Sequence, residues 1–207
     1  MTRAKSSDTE KKQRSFWREL PILVIVAVLV AVLVRTFVVQ TFWIPSGSME
    51  QTLLVNDRVL VNKLLYDFRE PRRGEVIVFV APPSWRTDPG EPDFIKRVIA
   101  TPGDHVLCCD AQGHVTVNGT PLIEPYVYPG NAAGTPFDVR VPAGRLFVMG
   151  DHREISGDSS KHLEDHSGTI PISGVVGRAF VIFWPLNRAG LLTVPRTFAH
   201  VAAPSGG

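Results

Sequence analysis

The stretch DFIKRVIATPGD, residues 93–104, alternates apolar and charged side chains and ends in a Pro-Gly-Asp turn signal. Short runs rich in Val, Ile and Phe that stop at such signals predict β-strands. Alternate side chains of a strand point to opposite faces, so Lys96 shares one face with Phe94 and Val98, and Arg97 lies on the other. An exposed lysine is the usual arrangement on a sheet face. The pattern nevertheless predicts that one of the two cations faces apolar neighbours.

The same strand pattern recurs on both sides of this stretch, separated by turn signals such as Asn118-Gly119. The other predicted strand segments are DRVLVNKLL, GEVIVFV, HVTVNG, FDVRV, RLFVMG and GVVGRAFVIFW. The chain has 17 Gly and 17 Pro among 207 residues, which favours strands and turns over helices. We therefore predict a mostly β fold, with sheets curled into a barrel or sandwich and residues 81–93 forming a loop.

An apolar run lies N-terminal to this β domain. Residues 20–34, LPILVIVAVLVAVLV, contain no charged or polar side chain. A helix of this length covers about 22 Å of a hydrocarbon layer roughly 30 Å thick. Extending it over residues 19–40, with Trp43 in the interface, supplies the missing length. The run is too long for a typical strand, and no small-x-small cleavage site follows it, so we predict a retained transmembrane helix.

The charges around this helix predict its orientation. Residues 1–18 are polar, with six basic and two acidic side chains, which is typical of a disordered tail. Basic residues stay on the cytoplasmic side, so residues 41–190 are predicted to form an extracytoplasmic domain. Residues 108–140 read as a hairpin followed by an insertion, and residues 191–207 read as a loose C-terminal tail.

Composition argues against several classes of function. The net charge is +2, from 22 basic and 20 acidic residues, and gives no field that would attract nucleic acid. The histidines are scattered, without an HExxH motif or a CxxC pair, so we expect neither a metal nor another cofactor.

Cys108 and Cys109 are adjacent in the sequence. A disulfide is usual at a Cα separation of about 5.5 Å, whereas neighbours across a trans peptide lie about 3.8 Å apart. We therefore expect a small buried thiol, or one reactive thiol, rather than a bond between the two cysteines.

The segment IPSGSMEQTL, residues 44–53, follows the apolar run and places two serines on a Pro/Gly turn. Turn formation alone would account for these residues. If a serine is a nucleophile, its base could be His152 beside Asp151, or Lys96. Adjacent side chains of a strand point to opposite faces, which makes the His152 arrangement awkward. Both bases remain open from the residues alone.

Four segments occur in a fixed order behind the apolar run: IPSGSMEQTL, RRGEVIVF, DFIKRVIATPGD and MGDHREISGDSS. They resemble the four sequence boxes of bacterial type I signal peptidases, membrane-bound Ser/Lys endopeptidases that remove signal peptides. The resemblance covers roughly residues 20–185. It implies Ser48 as the nucleophile, Lys96 as the general base, and a mostly β catalytic core with a smaller β extension at residues 108–140.

The resemblance also implies the surroundings of the two catalytic residues. The Ser46 hydroxyl and the Ser48 backbone N–H would form an oxyanion hole, and Gly47 would let the backbone approach the scissile carbonyl. Ser156 would hydrogen-bond Lys96 and orient its lone pair.

Two carboxylates have implied structural roles in the same site. Asp151 would pair with Arg97, and Asp158 would support its loop. The sequence departs from the family pattern here, because Ser160 stands where the family has an arginine that would pair with Asp158.

Other departures lie at Gln51, where the family has proline, and at His152 and Ile155, in a loop that carries asparagine in the family.

The implied substrates carry small residues at the first and third positions before the scissile bond, as in Ala-x-Ala. The residues that resemble the walls of the substrate pockets are Met49, Leu53, Phe94 and Ile95. An extended peptide lying along the Lys96 strand would present alternate side chains to one wall. The expected partners are signal peptides of exported preproteins, membrane lipid and the export machinery, and the expected location is the bacterial cell membrane.

Two alternatives remain at this stage. The chain could be an inactive relative that binds signal peptides without cleaving them. It could also be a sortase-like transpeptidase that uses Cys108 or Cys109 as its nucleophile, although the spacing of His and Arg around these thiols does not suggest one.

Overall fold

The structure of the chain is a computed structural model that describes residues 19–29, 32, 38–129 and 135–204. The chain divides into two units, residues 1–39 and residues 40–207. In the first unit, residues 19–29 are helical. Among the described residues, no helix combines the length and apolar character that a membrane span requires. The predicted tail at residues 1–18 and part of the predicted anchor at residues 19–40 lie outside the description.

Twelve strands are described, most of them in the second unit. In chain order they are β1 (Val39–Trp43), β2 (Arg58–Asn62), β3 (Val76–Val80), β4 (Asp93–Ala100), β5 (His105–Cys108), β6 (Val115–Val117), β7 (Thr120–Pro121), β8 (Phe137–Arg140), β9 (Arg145–Met149), β10 (Ile170–Pro171), β11 (Val175–Trp184) and β12 (Gly190–Leu191). The short helices are Gly47–Met49, Leu65–Phe68, Pro83–Trp85, Ser159–Lys161, His166–Gly168, Ile172–Gly174, Leu186–Arg188 and Arg196–His200; Leu65–Phe68 is α-helical and the others are 3₁₀ turns.

These strands form two sheets, which confirms the prediction of a mostly β fold. The larger sheet has eight described strands in the order β1-β2-β11-β3-β4-β9-β10, with β12 paired to β11. The smaller sheet has the order β7-β6-β5-β8, which corresponds to the predicted extension and begins slightly earlier, at His105. Apolar side chains of both sheets, including Val117 and Phe147, belong to one buried cluster.

Strand β4 lies between β3 and β9, and this position decides the environment of its two cations. Its Val98 packs into one hydrophobic cluster and its Ile99 into another, so apolar side chains cover both faces. Lys96 is only 4% exposed and Arg97 only 2%. Both cations are therefore buried, whereas the sequence predicted only one. The alternative of an exposed lysine is wrong, because both faces of β4 are covered.

The two cysteines form the disulfide that the sequence argument disfavoured. Cys108 and Cys109 are joined at a Cα separation of 3.0 Å and lie beside the cluster that links the two sheets. Adjacent cysteines close their ring through the peptide bond that joins them, so the separation usual for distant cysteines did not apply. The expectation of a buried or reactive thiol is corrected accordingly.

The C-terminal segment packs on the domain through its described residues, so the expectation of a loose tail is wrong as far as residue 204. Phe198 is buried and its ring lies 6.2 Å from that of Tyr126. The backbone is also held, because Arg73 donates a hydrogen bond to the Val201 carbonyl and Asn118 to that of Ala202. The buried Phe198 ring and these backbone contacts together anchor the segment.

Candidate active site

Ser48 lies in the 3₁₀ turn Gly47–Met49, which follows the extended Ser46. The turn is anchored from below, because Met49 and Leu53 are wholly buried in a hydrophobic cluster that also contains Ile44. The Leu53 N–H donates to the Met49 carbonyl at 2.8 Å. Apolar residues on one side of the turn thus hold the Ser48 hydroxyl towards the other side.

The Lys96 Nζ lies 2.8 Å from the Ser48 Oγ, within a hydrogen bond that is buried. The Phe94 ring, whose centroid is 5.4 Å from Nζ, forms part of the lysine's apolar surroundings. Burial lowers the pKa of Lys96 to about 8, although the charges of Asp158 and Asp151 act in the opposite direction. The strand therefore delivers an amine that can lose its proton near neutral pH.

This pair of side chains can carry out nucleophilic catalysis. With a pKa near 8, about one lysine in ten is neutral at pH 7, compared with roughly one in 2,500 at the pKa of a free lysine. A neutral amine in hydrogen-bonding contact with a hydroxyl can accept its proton as the oxygen attacks. The Ser46 hydroxyl is next to this pair, with its Oγ 3.3 Å from the Ser48 Oγ.

The predicted ion pair between Arg97 and Asp151 is present. The guanidinium donates from Nε at 2.9 Å and from Nη2 at 2.6 Å to the two carboxylate oxygens. Thr52, which follows the Ser48 turn, donates to the same carboxylate at 2.5 Å. Burial alone would lower the pKa of Arg97, but the Asp151 charge raises it above its ordinary value. The pair thus ties the nucleophile segment to β4.

Asp158 supports its loop with neutral partners in place of an arginine. Its carboxylate accepts hydrogen bonds from the Gly150 N–H at 2.8 Å, the Ser160 N–H at 3.0 Å and the Ser160 Oγ at 2.7 Å. The nearby Lys161 donates to the Thr135 hydroxyl. Ser160 therefore supplies two uncharged donors to Asp158 at the position where the resemblance implied an arginine.

Ser156 does not form the hydrogen bond to Lys96 that the resemblance implied. Its side chain is buried, and its Oγ has no hydrogen-bond partner within the described residues. The hydroxyl lies against Gly150, where an ideal Cβ would come within 2.3 Å of it. The path of the loop through Gly150, which a sequence does not specify, places Ser156 close to the site but outside this hydrogen bond.

The Ser48 and Lys96 side chains open onto a groove of about 580 Å³. Phe94 and Ile95 line it as predicted, whereas Met49 and Leu53 do not, because they are wholly buried beneath the nucleophile turn. The lining residues are Trp43, Pro45, Ser46, Gly47, Ser48, Trp85, Thr87, Glu91, Asp93, Phe94, Ile95, Lys96, Ile155 and Gly157.

Trp85 is a lining residue that the sequence analysis does not single out, although its position in the chain carries a signal. It stands in the predicted loop at residues 81–93, and a large aromatic residue in a Pro-rich loop needs apolar neighbours. In the structure its ring stacks on His162 with centroids 4.6 Å apart and meets Phe79 edge-on. The loop is thereby fixed as one wall of the groove.

The alternative in which His152 is the base and Asp151 orients it is not supported by the contacts of these two residues. The His152 Nδ1 lies 2.9 Å from Glu50 Oε2, and Asp151 forms its ion pair with Arg97. The thiol alternative fails because both cysteines are in the disulfide. No group of three or more His, Cys, Asp or Glu side chains within residues 19–29, 32, 38–129 and 135–204 could hold a metal ion.

Comparison with known proteins identifies the family of the chain. A family model described as "Signal peptidase, peptidase S26" matches residues 17–184. The match covers most of the chain, and the chain therefore belongs to the signal peptidase family, peptidase S26.

Several individual members of this family are similar to the chain. Signal peptidase I of Mycobacterium tuberculosis is 37% identical and aligns with 91% of this chain and 80% of its own length. The probable signal peptidase I-2 of a Synechocystis species is 40% identical, over 93% and 85%. A crystal structure of a signal peptidase I from Enterococcus faecalis is 28% identical and covers 53% of this chain and 97% of its own, with a TM-score of 0.41. The family and the curated relatives make this chain a serine peptidase.

Proposed function

We propose that this serine peptidase removes signal peptides from exported preproteins by cleaving after Ala-x-Ala, with Ser48 as nucleophile and neutral Lys96 as general base. The observation that carries the proposal is the buried 2.8 Å contact between Lys96 Nζ and Ser48 Oγ. Burial supports the same assignment, since it brings the pKa of Lys96 down to about 8.

The reaction proceeds in two halves. As the Ser48 Oγ attacks the scissile carbonyl carbon, its proton passes to the Lys96 amine. The tetrahedral intermediate collapses, the new ammonium gives its proton to the departing amine, and the signal peptide remains as an ester on Ser48. Water then attacks this ester, with Lys96 again taking the proton, and the hydroxyl of Ser48 is restored as the signal peptide leaves.

The oxyanion of both tetrahedral intermediates would be held by the Ser46 hydroxyl and the Ser48 backbone N–H. Ser46 Oγ lies 3.3 Å from the reacting oxygen, so its hydroxyl is next to the place that the scissile carbonyl must approach. Donors placed in advance at a developing charge are among the largest contributions to catalysis.

Strand β4 offers an edge on which an extended peptide can dock. On one side, β3 pairs with residues 93–97 of β4, whereas β9 pairs on the other side only from Arg97 onwards. Within the described chain, the residues from Asp93 to Lys96 therefore have no strand on that second edge. A substrate strand added there would place alternate side chains on the same wall, which explains a requirement at positions one and three.

We propose that the enzyme acts at the bacterial cell membrane, with residues 19–40 as a single span, residues 1–18 in the cytoplasm and residues 41–190 outside. The apolar sequence and the basic tail support this topology. The partners would be the signal peptides of preproteins, the surrounding lipid and the export machinery. The nucleophile follows shortly after the proposed span, which suits a substrate that is itself embedded in the bilayer.

The decisive test uses the full-length enzyme in detergent with a purified preprotein. Ser48→Ala, Lys96→Ala and the double variant should each lose cleavage to the same extent, because the two side chains act as one proton-transfer unit. Circular dichroism should show all three folded. Substantial cleavage by either single variant would overturn the proposed function, and binding without cleavage by the wild type would favour an inactive relative.

A further inference from the structure

The residue after the nucleophile turn, Glu50, directs its carboxylate back over the turn. Its backbone N–H donates to the Gly47 carbonyl at 2.9 Å. The side chain lies alongside Gly47, since an ideal Cβ there would be 3.2 Å from Glu50 Oε2. Gly47 separates the two donors of the proposed oxyanion hole. A carboxylate therefore lies close to the place where the reaction creates a second negative charge.

His152 engages the same carboxylate oxygen that lies beside Gly47. Its Nδ1 lies 2.9 Å from Glu50 Oε2, and because a carboxylate can only accept, Nδ1 carries the proton. The imidazole is held in turn by Tyr128, whose ring stacks on it with centroids 4.1 Å apart and planes inclined by 11°. The orientation of the histidine is thus fixed by a partner on each side.

The backbone of His152 contacts the nucleophile residue as well. Its N–H donates to the Ser48 carbonyl at 3.1 Å, and its own carbonyl accepts from the Ser156 N–H at 3.2 Å. His152 therefore reaches the nucleophile segment at two points, through the main chain at Ser48 and through the ring at Glu50. Such contacts hold the turn and the loop that faces it in one arrangement.

We propose that Glu50 and His152 are a pair of positioning residues, in which the hydrogen bond from His152 occupies the Glu50 oxygen that lies beside Gly47 and so keeps it from turning onto the Ser46 and Ser48 donors of the oxyanion. An unrestrained carboxylate beside Gly47 would repel this oxyanion and compete for the same donors. The pair acts on the transition state more than on the bound substrate, because the second charge exists only once the carbonyl has been attacked. This inference rests on the proposed function.

The test compares His152→Ala with the double variant His152→Ala/Glu50→Gln, in the full-length enzyme with a purified preprotein. We expect His152→Ala to lower kcat at least about tenfold with little change in KM. Removing the carboxylate charge should then restore the double variant to within about threefold of the wild type. A double variant as slow as His152→Ala, or slower, would overturn the inference, because a merely structural contact cannot be rescued by deleting its partner.

A second comparison covers the case in which His152→Ala does not fold. Asn presents an N–H close to the position of the imidazole Nδ1, whereas Gln presents it one bond further out. His152→Asn should keep most of the activity and His152→Gln should lose it, and equal activities would contradict the pair. The exposed His200 serves as a control through His200→Ala. Full activity of Ser48→Ala would instead refute the proposed function itself.

Discussion

Gly150 lies against Ser48 so closely that an ideal Cβ at position 150 would come within 2.3 Å of the Ser48 carbonyl oxygen. The same Cβ would be 2.3 Å from the Ser156 Oγ, so the glycine is enclosed between the two loops of the site. The Ser48 carbonyl cannot yield freely, because buried Met49 and Leu53 anchor the nucleophile turn. Ser48 can therefore take this position only because residue 150 has no side chain.

We expect Gly150→Ala to lower kcat/KM at least about a hundredfold, since displacing a nucleophile by about 1 Å has an effect of this size. The measurement is the rate of preprotein cleavage. Gly190→Ala is the matched control, because a Cβ at Gly190 would meet only the Arg188 carbonyl oxygen, at 3.8 Å. Similar rates for the two variants would show that the turn tolerates the displacement.

The pH dependence of cleavage should follow the proton of Lys96. Because the amine acts only when neutral and burial brings its pKa to about 8, kcat/KM should rise between about pH 7 and pH 9 and then level off. The profile is measured with one preprotein in a constant-ionic-strength buffer series, with and without a chelator. Rates that are flat from pH 5, or that fall when the chelator is added, would exclude a lysine base.

The same burial should make Lys96 a source of instability. Folding lowers the pKa of Lys96 from 10.5 to about 8, so between pH 8 and pH 10.5 the unfolded chain binds more protons than the folded chain. The free energy of unfolding of the wild type therefore rises with pH across this window, by up to about 3 kcal/mol, and the full penalty applies below pH 8. We expect Lys96→Met to be more stable than the wild type at pH 7, with an advantage that shrinks towards pH 10.5.

Urea unfolding at pH 7 and pH 10 measures this advantage directly. Lys63→Met, at a partly exposed lysine outside the site, controls for the general effect of removing a positive charge. An advantage for Lys96→Met that is equal at both pH values would mean that the lysine is not desolvated on folding.

The C-terminal segment offers a separate test of the fold. Phe198 is only 7% exposed and stacks on Tyr126, whose ring in turn lies 4.2 Å from the Arg97 guanidinium. Phe198→Ala should lower the free energy of unfolding by about 3 kcal/mol, as expected for deleting a buried phenylalanine. Phe68→Ala is the control, because Phe68 is 85% exposed. Equal stabilities for the two variants would mean that the segment is not docked.

Docking of the substrate on β4 predicts an alternating sensitivity along the signal peptide. Replacing Ala by Leu at the first or third position before the bond should slow cleavage at least about tenfold, whereas the second position should tolerate Leu. The rates are compared in one purified preprotein changed at one position at a time. Equal losses at all three positions would refute a docked strand with alternating side chains.

The parts of the site that the sequence predicts are those set by local structure. The turn around Ser48 follows from its Pro and Gly residues, although only the family resemblance implies Ser48 as the nucleophile, and the face of Lys96 follows from the alternation of its strand. The burial of both Lys96 and Arg97 could not be deduced in this way, because it depends on distant segments that pack in two clusters on the two faces of β4. Alternation gives the face of a residue but not what covers that face.

Contacts between distant loops were the least predictable. Ser156 misses its expected hydrogen bond because the loop after β9 turns through Gly150, and Met49 lies under the groove because the nucleophile turn is helical. The partner of Phe198, Tyr126, lies in a different part of the chain. Each of these outcomes depends on where the backbone goes after a turn, and residue types alone leave that direction undetermined.

The unpaired edge of β4 is also a place where a second copy of the chain could add a strand. Unpaired strand edges invite other chains to add strands and aggregate, and proteins limit this by keeping such edges short and charged. Here the open part runs only from Asp93 to Lys96, where pairing with β9 stops. Asp93 puts an exposed carboxylate at one end of it. A peptide that also filled the groove would gain contacts that a second copy, paired along this short edge alone, would lack, so the proposed docking of substrate is favoured over polymerisation.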